Sequence, residues 1–130
     1  MHATATLAHH AYQQIHVQSR SPLELVVLLY DGALRFMTQA RDAMAKRDLR
    51  AKRDALSRAL AIIGELHATL NMKEGGQIAV SLDALYSYVN ARLIEANMKG
   101  DVSAIDESIR LIGQLRDAWV HIAATGPDAR

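Results

Sequence analysis

Histidines and carboxylates are the side chains of this 130-residue chain that could bind a metal, since it contains no cysteine. In a helical bundle, a di-metal site uses a glutamate followed three residues later by a histidine, because both side chains then project from one face. The sequence contains no such pair. Glu65 and His67 are only two residues apart, which places them on nearly opposite sides of a helix. We therefore expect no metal site and no cofactor.

His67 is a candidate for a second chemistry, because some helical bundles transfer phosphate through an exposed histidine. Those phosphotransfer domains commonly carry a lysine three residues after the histidine, where its charge meets the phosphoryl group. Here that position is Leu70. The favoured interpretation of His67 is a polar residue beside the core, and a histidine phosphotransfer bundle remains the alternative function.

Five cations lie within eight residues, in the segment 46–53. A nucleic-acid site would need a more extended basic patch or aromatic side chains that stack on bases. Neither is present, Asp42 and Asp54 flank the segment, and the whole chain carries a net charge of only +1. The segment is predicted to be a solvated hairpin tip, and no nucleic-acid partner is expected.

Composition indicates a folded domain, and the absence of catalytic motifs favours a binding module over an enzyme. Half of the residues are hydrophobic, 22% are charged and 5% are aromatic, which is typical of a folded domain with an aliphatic core. No nucleophile–base pair and no glycine-rich phosphate loop is recognisable.

The longest apolar run, residues 25–30, is far shorter than the roughly 20 residues of a membrane span. With no secretion signal, we expect a cytoplasmic protein that does not insert into membranes.

Start and stop signals divide the chain into four helices. Ser21-Pro22-Leu23-Glu24 forms a capping box with proline at the first helical position, and Asp48 can cap a second helix. Gly75-Gly76 breaks that helix, and Gly100-Asp101 ends a third helix and begins a fourth. Apolar residues step by three and four positions through each segment, and Gly126-Pro127 ends the last one.

These helices predict an all-α fold, an antiparallel up-down-up-down four-helix bundle, because connections of two to five residues join only antiparallel neighbours. The expected organisation is a loose or short-helical N-terminal arm over residues 1–20, the bundle over residues 21–126 and a tail over residues 127–130.

The apolar faces are wider than a bundle core requires. Residues 23–30 are apolar nearly all round the first helix, and Tyr86 and Tyr88 lie beside the apolar stripe of the third. Three interpretations remain open: a wider core, a dimer interface, or an apolar groove for a helix or extended chain of a partner. The arm could lie in such a groove when it is empty.

Several segments, in order and at matching spacing, resemble the flagellar secretion chaperone family FliS. The segments are Ala11-Tyr12, Ser21-Pro22-Leu23-Glu24-Leu25 with Leu29-Tyr30-Asp31-Gly32-Ala33, residues 58–66, Glu74-Gly75-Gly76-Gln77-Ile78-Ala79 with residues 82–88, Ala96-Asn97, and Leu115-Arg116-Asp117-Ala118-Trp119. The resemblance covers about residues 11–123, which is essentially the whole predicted bundle.

The resemblance implies a cytoplasmic export chaperone without enzymatic activity. Such proteins bind the disordered C-terminal region of flagellin, prevent its premature polymerisation and help present it to the cytoplasmic domain of the export-gate component FlhA. By position, Tyr12 matches the tyrosine linked to export-gate engagement, with Ile15 as a companion. For the flagellin-binding groove we select apolar residues of the third helix, and a weak homodimer stays open. The selected residues are Ile78, Leu82, Leu85, Tyr86 and Val89.

Overall fold

The computed structural model describes residues 22–125, which form four helices joined by short connections. The helices are α1 (Pro22–Ala45), α2 (Leu49–Ala68), α3 (Gly76–Lys99) and α4 (Val102–Thr125). The all-α bundle predicted from the sequence is confirmed. The predicted arm, including Tyr12 and Ile15, the capping residue Ser21 and the tail lie outside the described residues.

Contacts between helices show that successive helices run in opposite directions. Residues near the start of one helix pair with residues near the end of its neighbour in three of the four faces of the bundle. The pairs are Lys52 with Asn97 and His67 with Asp83 between α2 and α3, Arg92 with Glu107 between α3 and α4, and Arg41 with Asp106 and Arg116 with Asp31 between α1 and α4. One end of the bundle therefore contains the start of α1 and α3 and the end of α2 and α4.

Helix α1 packs most closely against α2 and α4, whereas α3 is held more loosely by the same two helices. Small residues allow the close approach of α1 and α2. A Cβ atom built on Gly32 would lie 3.1 Å from Ile62 Cδ1, and several alanines are fully buried at this interface. The larger core side chains come from all four helices: Tyr30, Met37, Leu56, Ile63, Tyr86, Val89, Leu93, Ile105 and Ile112.

Helix ends follow the predicted signals with one exception. The Asp48 side chain accepts a hydrogen bond from the Ala51 backbone N–H at 3.1 Å, and Gly100 ends α3 with a φ of +65°. Helix α2 was expected to continue towards Lys73, but it ends at Ala68. Thr69 caps it by donating its hydroxyl proton to the Leu66 carbonyl oxygen at 2.8 Å, so the connection to α3 is longer than predicted.

No helix within residues 22–125 is long and apolar enough to cross a membrane.

Candidate functional site

An open apolar cavity of about 250 Å³ lies at the end of the bundle where α2 ends and α3 begins. All four helices contribute to it, and no charged side chain lines it. The looser packing of α3 leaves this space between the first turns of α3 and the neighbouring helices. The lining residues are Val26, Leu66, Thr69, Leu70, Asn71, Gly75, Ile78, Ala79, Leu82, Tyr86 and Trp119. We call it the client cavity.

Three aromatic side chains form a polar cluster next to the client cavity: Tyr86 and Trp119 line the cavity, and Tyr30 is completely buried in the core. The Trp119 indole N–H donates to the Tyr30 hydroxyl oxygen at 3.0 Å, and the hydroxyls of Tyr30 and Tyr86 form a buried hydrogen bond. Burial raises the pKa of Tyr30, and burial together with the hydrogen bond to Tyr30 raises the pKa of Tyr86. Both phenols are therefore neutral at physiological pH, and their hydroxyls are already paired. The cluster fixes the three rings rather than offering a free polar group.

His67 lies beside this cluster and bridges α2 to α3. Its Nε2 atom is 2.5 Å from Asp83 Oδ1, and its ring centroid is 5.8 Å from that of Tyr86. A phosphotransfer histidine needs a free ring nitrogen next to a cation, whereas a carboxylate occupies this position. The geometry therefore favours the interpretation of His67 as a residue that positions two helices.

The structure separates the five residues predicted for the groove. Ile78, Leu82 and Tyr86 line the client cavity, Leu85 is half-buried outside its lining, and Val89 is completely buried in the core. Ile78 is 69% exposed, so it forms the outer rim. Sequence reasoning did not select the cavity residues of the other helices, namely Val26, Leu66, Leu70 and Trp119. Their apolar periodicity assigned them to helices but did not indicate which of them faces a space.

A second apolar surface, also missed by the sequence reasoning, lies on the side of α3 that points away from the core. Six exposed residues form a stripe that contains no charge and steps by four and three positions. They are Val80, Ala84, Ser87, Ala91, Ile94 and Met98. The 4-3 spacing was visible in the sequence, but it could not be distinguished from a core stripe until one face of α3 was seen to be occupied. We call it the α3 outer stripe.

This site can bind a ligand but offers no chemistry. The client cavity has apolar walls and no unpaired charge, and within residues 22–125 no group of histidines and carboxylates could hold a metal ion. Apolar side chains of a partner would be the matching ligands, because a concave apolar surface is stabilised by excluding water.

Comparison with known proteins finds a consistent set of relatives. A family model described as "Flagellar protein FliS" matches residues 4–126. The flagellar secretion chaperone FliS of Salmonella typhimurium is 39% identical over 118 residues, which cover 87% of each chain. FliSB of Pseudomonas aeruginosa is 37% identical, with 83% of this chain and 89% of the relative covered. FliS of Bacillus subtilis is 38% identical, with 84% and 80% covered.

A solved structure described as a flagellar chaperone from bacteria has the same fold. Its TM-score is 0.76, and the superposition covers 94% of this chain and 99% of the other at 17% sequence identity. At that identity the likeness supports the bundle fold alone.

Proposed function

Because this chain belongs to the FliS family of flagellar secretion chaperones, we propose that it binds the C-terminal region of flagellin in the client cavity and along the α3 outer stripe. In this proposal it keeps flagellin from polymerising before export. The family is one of chaperones and not of enzymes, in agreement with a site that carries no reactive group.

The client cavity is the single observation that supports this proposal most directly. It is open to solvent, apolar and assembled from all four helices, whereas an ordinary bundle closes such a space with its own side chains. An apolar side chain of flagellin can fill it without leaving a buried polar group unpaired, because the hydroxyls at its inner wall already bond to each other.

The α3 outer stripe extends the surface available to a client. It spans about 27 Å at 1.5 Å per residue, which matches five turns of a partner helix. The small residues Ala84, Ser87 and Ala91 in its centre allow a helix backbone to approach closely, while Val80 and Met98 provide contact area at its ends. A flagellin segment that becomes helical on binding would cover the stripe, while an adjoining segment would fill the client cavity on the other side of α3.

Ordering the client limits the affinity of such a complex. Coupled folding and binding commonly buries about 1,000–3,000 Å² and loses several kcal/mol to ordering. At about 25 cal/mol per Å² of apolar surface, burial of a partly apolar interface still contributes more free energy than this ordering costs. The complex can therefore hold an unfolded chain and release it in steps.

The later steps of export are assigned to the N-terminal arm. We propose that the chaperone acts in the cytoplasm and presents flagellin to the cytoplasmic domain of FlhA through Tyr12 and Ile15. Both positions lie outside the described residues, and their assignment rests on the family resemblance.

Titration of a flagellin C-terminal peptide into the purified full chain tests the proposal. We expect binding with a gain in helical circular dichroism, and we expect Ile78→Glu to weaken that binding about tenfold or more, which corresponds to about 1.4 kcal/mol. A carboxylate at the rim of an apolar cavity must be desolvated when the client binds. Ile78 is 69% exposed, so the substitution leaves the fold intact.

Leu28→Glu is the matched control, because Leu28 is 42% exposed on α1 and does not line the cavity. It should bind the peptide as the unsubstituted protein does. Equal weakening by both substitutions, or no binding at all by a folded protein, would contradict the proposal.

A further inference from the structure

The basic hairpin between α1 and α2 borders a second cavity, at the opposite end of the bundle from the client cavity. This space measures about 330 Å³, and we call it the hairpin pocket. The end of α1, the start of α2 and the α3–α4 connection form its walls. Its lining combines apolar side chains with two cations: Ala43, Met44, Arg47, Asp48, Leu49, Lys52, Gly100 and Val102.

Lys52 is the unusual residue of the hairpin pocket, because it is a buried cation without a carboxylate. Only 8% of its surface is exposed, and its Nζ donates one hydrogen bond, at 3.0 Å, to the Asn97 backbone carbonyl oxygen. Within the part of the chain that the structure describes, no carboxylate forms an ion pair with it. An ammonium group can donate three hydrogen bonds, and burial of a charge is costly unless it is paired. The pocket therefore contains donor capacity that the chain itself does not use.

Arg47 adds a second cation in a backbone conformation that favours glycine. It has a φ of +57° at the C-terminal end of α1, and it lines the same pocket. Glycine would adopt this conformation without strain, so an arginine here lowers the stability of the turn. Asp48, the one acidic residue of the lining, already accepts a hydrogen bond from the Ala51 N–H as the cap of α2.

Apolar side chains share the pocket lining with the two cations. Met44, Leu49 and Val102 line the pocket, and Leu49 and Val102 are 63% and 40% exposed. A ligand that fits must therefore combine an anionic group for Lys52 and Arg47 with apolar groups for these side chains. An acidic residue between apolar residues has this chemistry.

We propose that the hairpin pocket binds a segment of a partner polypeptide in which an Asp or Glu side chain is flanked by apolar residues. The carboxylate accepts hydrogen bonds from Lys52 and Arg47, and the flanking side chains pack on Leu49 and Val102. This site is separate from the client cavity and does not depend on the identity of the client.

Two acetylated and amidated peptides, Ala-Leu-Glu-Leu-Ala and Ala-Leu-Gln-Leu-Ala, test the proposal against the full chain by two-dimensional amide NMR. The glutamate peptide should shift the resonances of residues 47–52 and 100–102 and bind about tenfold or more tightly than the glutamine peptide, because a charged hydrogen bond is stronger than a neutral one. Equal affinities for the two peptides, or shifts confined to other residues, would overturn it.

Lys52→Met should abolish the preference for the glutamate peptide while keeping the native spectrum, because methionine fills the space of the lysine stem. Arg50→Met makes the same change at an exposed position that does not line the pocket, and it should keep the preference. Should Lys52→Met fail to fold, Arg47→Gly provides the test, with weaker binding of the glutamate peptide and a raised melting temperature. The proposal would be overturned if the folded Lys52→Met protein still preferred the glutamate peptide. If that protein does not fold, the same result in Arg47→Gly would overturn it. The same shifts caused by inorganic phosphate alone would also overturn it, by showing a phosphate site instead.

Discussion

The hydroxyls of Tyr30 and Tyr86 show how a single polar contact shapes the apolar site. They join α1 to α3 across the centre of the bundle, and the Trp119 indole adds a bond from α4. Each ring presents carbon atoms to its surroundings while its polar atom is paired. The client cavity can therefore be apolar even though Tyr86 forms part of its wall.

Removing the Tyr86 hydroxyl tests this cluster. We expect Tyr86→Phe to lower the free energy of unfolding at pH 7 by about 0.5–1.5 kcal/mol in urea titrations, because the Tyr30 hydroxyl loses a buried partner. Tyr88→Phe is the control: Tyr88 is 44% exposed, and its hydroxyl donates to Glu107 on the surface, so its loss should be smaller. A larger effect at Tyr88 would contradict the importance of the buried cluster.

The same pair predicts a dependence on alkaline pH. The pKa values of Tyr30 and Tyr86 are raised above their ordinary value of 10.0, so the unfolded chain loses these protons first as the pH rises. The corresponding stability is complete below about pH 10 and decreases above it. The decrease in stability above pH 10 should be shallower in Tyr86→Phe, because one of the two hydroxyls with a raised pKa is absent.

Helix α3 differs from the other elements because it is apolar on opposite sides. One side supplies Val89 and Leu93 to the core, and the other carries the α3 outer stripe. Its loose packing against α2 and α4 leaves the client cavity at its first turns. An element that is amphipathic in the usual sense would leave neither surface for a partner.

The end of α3 provides a test at the scale of the element. We expect Gly100→Ala to lower the free energy of unfolding by about 1 kcal/mol, because Gly100 has a φ of +65° that alanine rarely adopts. No atom lies within 4 Å of an added Cβ there, so the loss is conformational rather than steric.

Gly113→Ala is the same substitution inside α4, also without a neighbour within 4 Å of the added Cβ. It should raise the free energy of unfolding by about 0.5–1 kcal/mol, because alanine favours helix. If both substitutions changed the free energy of unfolding in the same direction, backbone conformation would not be the cause of these changes.

At the scale of the whole molecule, the two ends of the bundle differ in chemistry. No charged side chain lines the client cavity at one end, whereas Arg47, Asp48 and Lys52 line the hairpin pocket at the other. Ion pairs that α4 forms with α1 and α3, such as Arg116 with Asp31 and Arg92 with Glu107, connect the helices between these ends. They are partly exposed, so each contributes little to stability.

The exposed α3 outer stripe also keeps self-association open at this scale. Sedimentation of the full chain across a range of concentrations distinguishes a stripe that forms a dimer interface from one that binds only a client. A persistent dimer that dissociates when flagellin peptide is added would show that both partners use this stripe.

The N-terminal arm is tested by its effect on export. We expect Tyr12→Ala to leave the melting temperature and the binding of flagellin peptide unchanged while it reduces the amount of flagellin exported by flagellated cells. A large decrease in melting temperature would instead place Tyr12 in the core, and unchanged export would contradict its assignment to the export gate.

The sequence alone determined the helical elements and most of their ends, because caps, glycines and 3.6-residue periodicity are local signals. Asp48 and Gly100 act as these signals predict. It also carried enough family resemblance to indicate a chaperone, and the comparisons support that family. Helix α2 was the exception, since it ends at Ala68, where the hydroxyl and the backbone N–H of Thr69 bond to its last carbonyl oxygens, and not at the Gly75-Gly76 signal.

Only the tertiary structure decided which apolar residues face the core and which face a partner. Val89 and Ile78 belong to one apolar periodicity, yet Val89 is completely buried and Ile78 is 69% exposed. Periodicity records the side of a helix, whereas exposure depends on how closely the neighbouring helices approach. For the same reason Lys52 looked like one cation of a solvated tip until the end of α3 and the start of α4 were seen to enclose it.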